Sequence, residues 1–231
     1  MKKMILASTS TIHGSGYLEY LNPTLEAHFK EVETVTFIPF ARPGGISYDR
    51  YTEAASNAFA KINKKVIGLH TAKNRKEALL NGEAIFIGGG NTFELLNQLY
   101  QQELLEDLKN VIENGIPYLG TSAGSNICGL NIKNTNDMPI IYPPSFDALG
   151  TIPFNINAHY LDPLLGSKHM GETRETRIKE FHVFNETPVL GLREGSWISV
   201  AGDEISLKGK HTARFFQKNK EAVEIASGSI L

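Results

Sequence analysis

Ile116-Pro117-Tyr118-Leu119-Gly120-Thr121-Ser122-Ala123-Gly124-Ser125-Asn126 is an apolar run that ends in small residues around one serine. It reads as a strand, a sharp turn and the start of a helix. Gly120-x-Ser122-x-Gly124 has the spacing of a nucleophile elbow, in which the serine takes a strained backbone position and its neighbours must be tiny so that strand and helix can close up beneath it. Such a turn holds the hydroxyl out at the end of a sheet. The free N–H groups and positive end of the following helix then lie where an oxyanion would form. Ser122 is thus the candidate nucleophile and the Ala123 N–H a candidate oxyanion donor. The plainer reading is an ordinary strand-to-helix turn with a serine cap; the apolar strand pattern ahead of the turn favours the elbow.

The chain before this stretch has the same rhythm. Residues 4–7, 35–40, 66–70 and 84–87 are short apolar runs, and they alternate with helical patterns over 17–29, 48–62, 92–101 and on to 113. Strands that are apolar throughout and alternate with amphipathic helices predict an α/β fold with a doubly wound, mostly parallel sheet covered on both faces. After Ile127 the character changes. Residues 131–160 are rich in Asn and Pro, as expected of loops and short strands wrapping a site, and a helix is predicted over 172–184. Strand pieces follow at 189–193, 197–200, 204–207 and 213–217, with Gly-containing turns between them, and predict an antiparallel addition at the C-terminal end. No repeat, low-complexity tract or linker interrupts the series, so residues 1–231 read as a single hydrolytic domain.

Hydrophobic residues make up 41% of the chain, enough for a sizeable core. Basic and acidic residues nearly cancel, 23 against 25, so neither nucleic acid nor an anionic membrane is implied as a partner. The start, Met1-Lys2-Lys3-Met4-Ile5-Leu6-Ala7, breaks at once into Ser8-Thr9-Ser10-Thr11 and is better explained as a first strand than as a signal segment. No apolar run approaches the ~20 residues of a membrane span. The one cysteine, Cys128, excludes an intramolecular disulfide and reads as a packed core residue, which fits a cytoplasmic location.

Gly88-Gly89-Gly90-Asn91 also follows a strand and opens a helix. It lacks the further glycines, lysine and hydroxyl of a nucleotide loop, though a phosphate cradle or a plain tight turn remain alternatives. Loops at the carboxyl ends of neighbouring strands meet at one crevice in doubly wound sheets. The N–H groups of Gly89 and Gly90 are therefore expected to complete an oxyanion hole with that of Ala123. A serine nucleophile requires a base. His28 and His182 fall in helical patterns and are expected at the surface, His13, His169 and His211 fall in polar loops, and His70 ends a strand ahead of the elbow. His159 follows an apolar piece downstream of the elbow, the order found in α/β serine hydrolases, and competes with the reading of a satisfied structural histidine. Asp137 and Glu194 are both carboxylates at apolar-to-polar boundaries, either of which could orient the base or serve only as a turn or capping residue.

Taken together, Phe37-Ile38-Pro39-Phe40-Ala41, Gly88-Gly89-Gly90-Asn91-Thr92-Phe93, Ser122-Ala123-Gly124, Thr135-Asn136-Asp137-Met138-Pro139-Ile140, Phe146-Asp147-Ala148-Leu149, Gly171-Glu172-Thr173-Arg174-Glu175 and Glu194-Gly195-x-Trp197-Ile198 occur in an order that resembles the peptidase E family over nearly the whole chain. That family comprises cytoplasmic aspartyl dipeptidases, serine peptidases on a flavodoxin-like fold related to class I glutamine amidotransferases. The resemblance implies Ser122 as nucleophile, His159 as base, and Asp137 or Glu194 as third member. Glu194 is favoured because Asp137 lies only 15 residues past Ser122. It also implies Arg174 as the anchor for the substrate's aspartate side chain; Asn91, at the end of the glycine turn, is a further candidate for substrate binding. The bland alternative for Arg174 is a helix-surface residue paired with Glu175 or Glu180. Thr121, Ser125 and Ala158 depart from the tryptophan, alanine and proline common at these positions. The expected activity is hydrolysis of dipeptides with an N-terminal aspartate, with no cofactor and no metal. A peptidase of the cyanophycinase type, cleaving other aspartyl bonds, and a non-catalytic small-molecule binding module are the alternatives. The oligomeric state stays open, a homodimer included.

Overall fold

The computed structural model describes residues 1–163 and 171–231. Its strands are β1 (Lys3–Ala7), β2 (Thr34–Ile38), β3 (Lys65–Gly68), β4 (Ile85–Ile87), β5 (Tyr118–Thr121), β6 (Asn155–Ala158), β7 (Val189–Leu192), β8 (Ser196–Ala201), β9 (Glu204–Gly209), β10 (Ala213–Phe216) and β11 (Val223–Ile225). The α-helices are α1 (Asn22–His28), α2 (Tyr48–Ala60), α3 (Arg75–Leu80), α4 (Thr92–Gln101), α5 (Leu105–Glu113), α6 (Ala123–Asn126) and α7 (Arg174–Phe184). A seven-stranded sheet has the order β3-β2-β4-β5-β1-β8-β9. Its first five strands run parallel, and β8 and β9 extend it antiparallel beyond β1.

Alternation along the parallel strands fills both faces. Ile5, Phe37, Phe86 and Leu119 pack with Leu25 of α1, Phe29 just past it, and Ala55 and Phe59 of α2. Leu6, Ile85, Ile87 and Tyr118 pack on the other face with Leu79 of α3, Leu96 and Leu99 of α4, and Leu108 and Ile112 of α5. Each such fully buried aliphatic or aromatic side chain contributes about 1.5–3 kcal/mol of transfer free energy, an upper figure because the unfolded chain already buries some of it. This frame fixes the carboxyl ends of β1, β4 and β5 side by side.

The remaining strands form a four-stranded sheet of order β11-β10-β7-β6. The C-terminal addition is therefore divided between two sheets, and the β6–β7 pairing within it is parallel. Among the described residues no strand lies at the outer edge of β6; asparagine amides from the preceding loop take that place. Asn131 and Asn155 exchange bonds, Asn134 and Asn157 donate to the carbonyls of Ile156 and Asn134, and Asn136 Nδ2 donates to Ala158 O at 2.9 Å. Side-chain amides thus satisfy the backbone groups a neighbouring strand would otherwise pair.

Several sequence expectations need correction. The helix over 17–29 is a 3-10 turn (Glu19–Leu21) followed by α1, because Leu18 takes a left-handed φ of 59° and Pro23 restarts the helix in its first turn. The strand expected to reach His70 stops at Gly68 and passes into a 3-10 turn (Leu69–Thr71). The short, charged α3 and the exposed edge strand β11 had no clear periodicity. His182 is buried, 7% exposed and 3.0 Å from Thr187 O, and His28 is half-buried, with Nε2 3.2 Å from Tyr118 O, so neither is a free surface residue. Burial lowers the His28 pKa to about 4. Cys128 is buried and its thiol is pushed up to about 12 by desolvation, so it stays a protonated core residue. His169 lies outside the described residues. Among the described residues no helix is long and apolar enough to cross a membrane.

Candidate active site

The elbow depends on two close backbone approaches. A Cβ at Gly120 would lie 2.5 Å from Gly124 O, and one at Gly124 would collide with Ile87 O of β4. Only glycine lets the turn sit that near both strands. Tyr118 Oη donates to Gly124 O at 2.6 Å, and Ser125 Oγ lies between the carbonyls of Ala7 and Gly120 at 2.7 and 2.9 Å. Ser125 thus ties the turn to β1 and β5 where alanine could not. Ser122 is held at φ 52° and ψ −109°. A non-glycine residue there costs on the order of 1–3 kcal/mol, which the bonds Ser122 N to Ala7 O and Ser125 N and Asn126 N to Ser122 O offset. The helix that follows is one turn, so it offers oriented N–H groups more than a macrodipole.

His159 also takes a left-handed φ, 55°. It follows the last residue of β6, whose partner in register is Leu192, the last of β7. Two bonds through the buried Ser8 fix it: His159 N donates to Ser8 Oγ at 2.9 Å, and Ser8 Oγ donates to Leu192 O at 2.7 Å. Glu194 leaves β7 beside it. The structure places His159 Nε2 at 2.9 Å from Ser122 Oγ and His159 Nδ1 at 2.6 Å from Glu194 Oε1. Arg193 anchors this end of β7 by bonding Asp162 at 2.7 Å and Glu224 at 2.9 and 3.0 Å; its bonds hold both carboxyls below the usual carboxylate range.

Asp137 does not join His159. The Asn-rich loop turns back along β6 and delivers it to the start of α4, where its Oδ2 accepts from Thr92 N at 2.7 Å, from Thr92 Oγ1, and from Thr135 Oγ1 at 3.2 Å. Asn91 caps the same helix by accepting from Glu94 N at 3.1 Å and donates to Met138 O at 2.8 Å, which holds that loop over the glycine turn.

The three glycines of that turn have separate constraints. A side chain at Gly88 would strike Tyr51, and one at Gly90, where φ is 147°, would strike Ala41 O. A Cβ at Gly89 would lie 3.0 Å from Ser122 Cβ, so this backbone packs directly against the serine. Tyr51 Oη donates to Gly89 O at 3.0 Å. The N–H of Gly90, on the opposite side of the same trans peptide, points away from Tyr51. Among the described residues the N–H groups of Gly89, Gly90 and Ala123 have no acceptor. Arg174 opens α7, half-buried, and its guanidinium pKa is lowered chiefly by desolvation and by Arg177, against a raising effect of Asp137. Glu175, a partner suggested by sequence, pairs instead with Lys179 and Arg214.

The arrangement provides a hydroxyl, an imidazole within reach of its proton, a carboxylate on the far ring nitrogen and unpaired N–H groups beside the hydroxyl, the parts of an acyl-transfer site. Ser8 and Asn126 escaped sequence reasoning. Ser8 is the first polar residue after β1, a position at the carboxyl end of the strand next to the elbow that could have flagged it; nothing local marks Asn126, whose Oδ1 accepts from Ala158 N at 3.3 Å. Among the described residues no group of three or more His, Cys, Asp or Glu side chains could hold a metal ion.

The model of peptidase family S51 matches residues 4–208. The chain is 46% identical over 228 residues to a Drosophila melanogaster protein named "Probable alpha-aspartyl dipeptidase", covering 97% of this chain and 94% of the relative. It is 44% identical over 228 residues to a Streptomyces coelicolor protein named "Peptidase E", covering 99% and 93%. The fold matches the crystal structure of a peptidase from an acI-B1 actinobacterium with a TM-score of 0.75 at 13% identity, over 100% of this chain and 96% of that one.

Proposed function

The chain belongs to peptidase family S51, and we propose that it hydrolyses dipeptides with an N-terminal aspartate through an acyl-enzyme on Ser122. The observation that carries the reading is the hydrogen-bonded chain Ser122, His159, Glu194 at 2.9 and 2.6 Å. His159 Nε2 takes the serine proton as Oγ attacks the scissile carbonyl, and returns it to the leaving amine. Glu194 holds Nδ1–H, which fixes the tautomer with a free Nε2 and steadies the imidazolium. The N–H groups of Gly89, Gly90 and Ala123 receive the oxyanion. Water activated by the same histidine then releases aspartate from Ser122.

Selectivity follows from charge. The β-carboxylate of an N-terminal aspartate needs a cation in a partly desolvated place, and the fork of Arg174 suits it. A panel of X-Leu dipeptides tests the reading on the purified protein. Asp-Leu should be cleaved at least 100-fold faster than Ala-Leu or Lys-Leu, roughly the discrimination that one desolvated charge pair supplies. Equal rates across the panel, or none on Asp-Leu, would refute it.

A further inference from the structure

Asp137 has two oxygens in very different situations. Among the described residues every bond to the carboxylate goes to Oδ2, from Thr92 N, Thr92 Oγ1 and Thr135 Oγ1. Oδ1 accepts from no described residue, although each oxygen of a carboxylate has two lone pairs to offer. The Oδ2 bonds hold the carboxylate in place and leave the lone pairs of Oδ1 open.

The residues around Asp137 are those of the crevice. Thr92 directly follows the glycine turn that packs on Ser122, and Asn91 bonds the residue after Asp137. Asn126, on the turn behind Ser122, donates to Thr92 Oγ1 at 3.1 Å and to Thr135 Oγ1 at 3.3 Å while accepting from Ala158 N next to His159. Hydrogen bonds therefore tie Asp137 to the elbow, the glycine turn and the strand that carries the base. Arg174 is near enough for the two charges to influence each other, yet they form no ion pair among the described residues. Glu194 is committed to His159, and Glu94 accepts from Gln98 within α4. A carboxylate with one open oxygen, set apart from a half-buried guanidinium, fits a ligand carrying both signs of charge.

We propose that Asp137 binds the free α-ammonium group of the substrate, so that Asp137 and Arg174 hold the N-terminal aspartate by its two charged groups. This rests on the dipeptidase reading above, and it makes Asp137 a specificity residue, not a partner of His159. It also accounts for exopeptidase action, since an acylated or internal aspartate has no ammonium to offer.

The test compares Asp-Leu with succinyl-Leu, the same molecule without its amino group. Calorimetry on the Ser122→Ala protein, which leaves the ligands intact, should give Asp-Leu an affinity about 30-fold or more above that of succinyl-Leu, the order expected when one partner of a desolvated charge pair is missing. Adding Asp137→Asn should remove that advantage and leave succinyl-Leu binding unchanged, which also reports that the site is folded. Asp137→Glu, which keeps the charge, should restore part of the preference. Equal affinities in the Ser122→Ala protein, or equal losses for both ligands on Asp137→Asn, would overturn the proposal. If the unsubstituted chain cleaves Asp-Leu and succinyl-Leu alike, the proposal fails and the dipeptidase reading stands; if it cleaves no Asp-Leu, both fail.

Discussion

Glu194 Oε1 lies 2.6 Å from His159 Nδ1, and the two residues reach each other because β6 and β7 are parallel and end in register at Ala158 and Leu192. Strand pairing, not sequence proximity, sets this contact. Glu194→Gln keeps the shape but can stabilise the wrong tautomer, with the proton on Nε2 facing the serine. The expected result is a fall in kcat of about 10³- to 10⁴-fold with KM little changed and an unaltered thermal melt. A loss below tenfold would remove Glu194 from the proton-transfer chain.

Ser8 holds the histidine from behind. Ser8→Ala would leave His159 N without its partner, while Leu192 O would keep its other donor, Tyr160 N at 3.1 Å. An unpaired buried group costs about 1–3 kcal/mol, so denaturant unfolding should show a loss of that order and kcat should fall as His159 relaxes. Ser8→Thr, which keeps the hydroxyl, should recover more activity than Ser8→Ala. Full activity in the alanine variant would show that β6 alone positions the base.

Arg174→Ala should lower kcat/KM for Asp-Leu by about 2–5 kcal/mol, the cost of leaving a desolvated carboxylate unpaired. Asn-Leu, isosteric but uncharged, should suffer much less. Equal losses on the two substrates, or none on Asp-Leu, would show that another residue reads the aspartate.

His28 gives stability a pH dependence far from the site. Burial lowers its folded-state pKa from 6.5 to about 4. The unfolded chain therefore takes up a proton as pH falls below 6.5, whereas the folded chain resists until near 4. The neutral histidine costs nothing above that window, and stability is lost as pH falls through it, by on the order of 2–3 kcal/mol. His28→Gln retains a donor for Tyr118 O and does not titrate. Unfolding free energies at pH 7 and pH 4.5 should differ less in His28→Gln than in the parent protein; identical pH dependence in both would contradict the assignment.

The centre of the fold was legible because its signals are local. A strand buried on both faces must be apolar throughout, and an elbow must have tiny residues at 120 and 124, so β1, β2, β4, β5 and the turn at Ser122 could be read from the chain. What escaped depends on contacts across the sequence. The sequence left Asp137 and Glu194 as rivals, and only the turn of the Asn-rich loop back along β6 sends Asp137 to α4. Ser8 and Asn126 act through single bonds to residues far along the chain. α3 and β11 are short and each exposes an apolar residue, Leu80 and Val223, which blurs the alternation, so packing decides them more than periodicity does.

The most direct test is hydrolysis of Asp-Leu by the parent protein and by Ser122→Ala, with folding of both checked by circular dichroism. Removing a nucleophile that works with its base as a unit leaves only binding and oxyanion effects, so the rate should fall by roughly 10⁴-fold or more, and Ser122→Ala with His159→Ala should be little worse than either change alone. A folded Ser122→Ala protein that retains a tenth of the parent rate would contradict acyl transfer through Ser122.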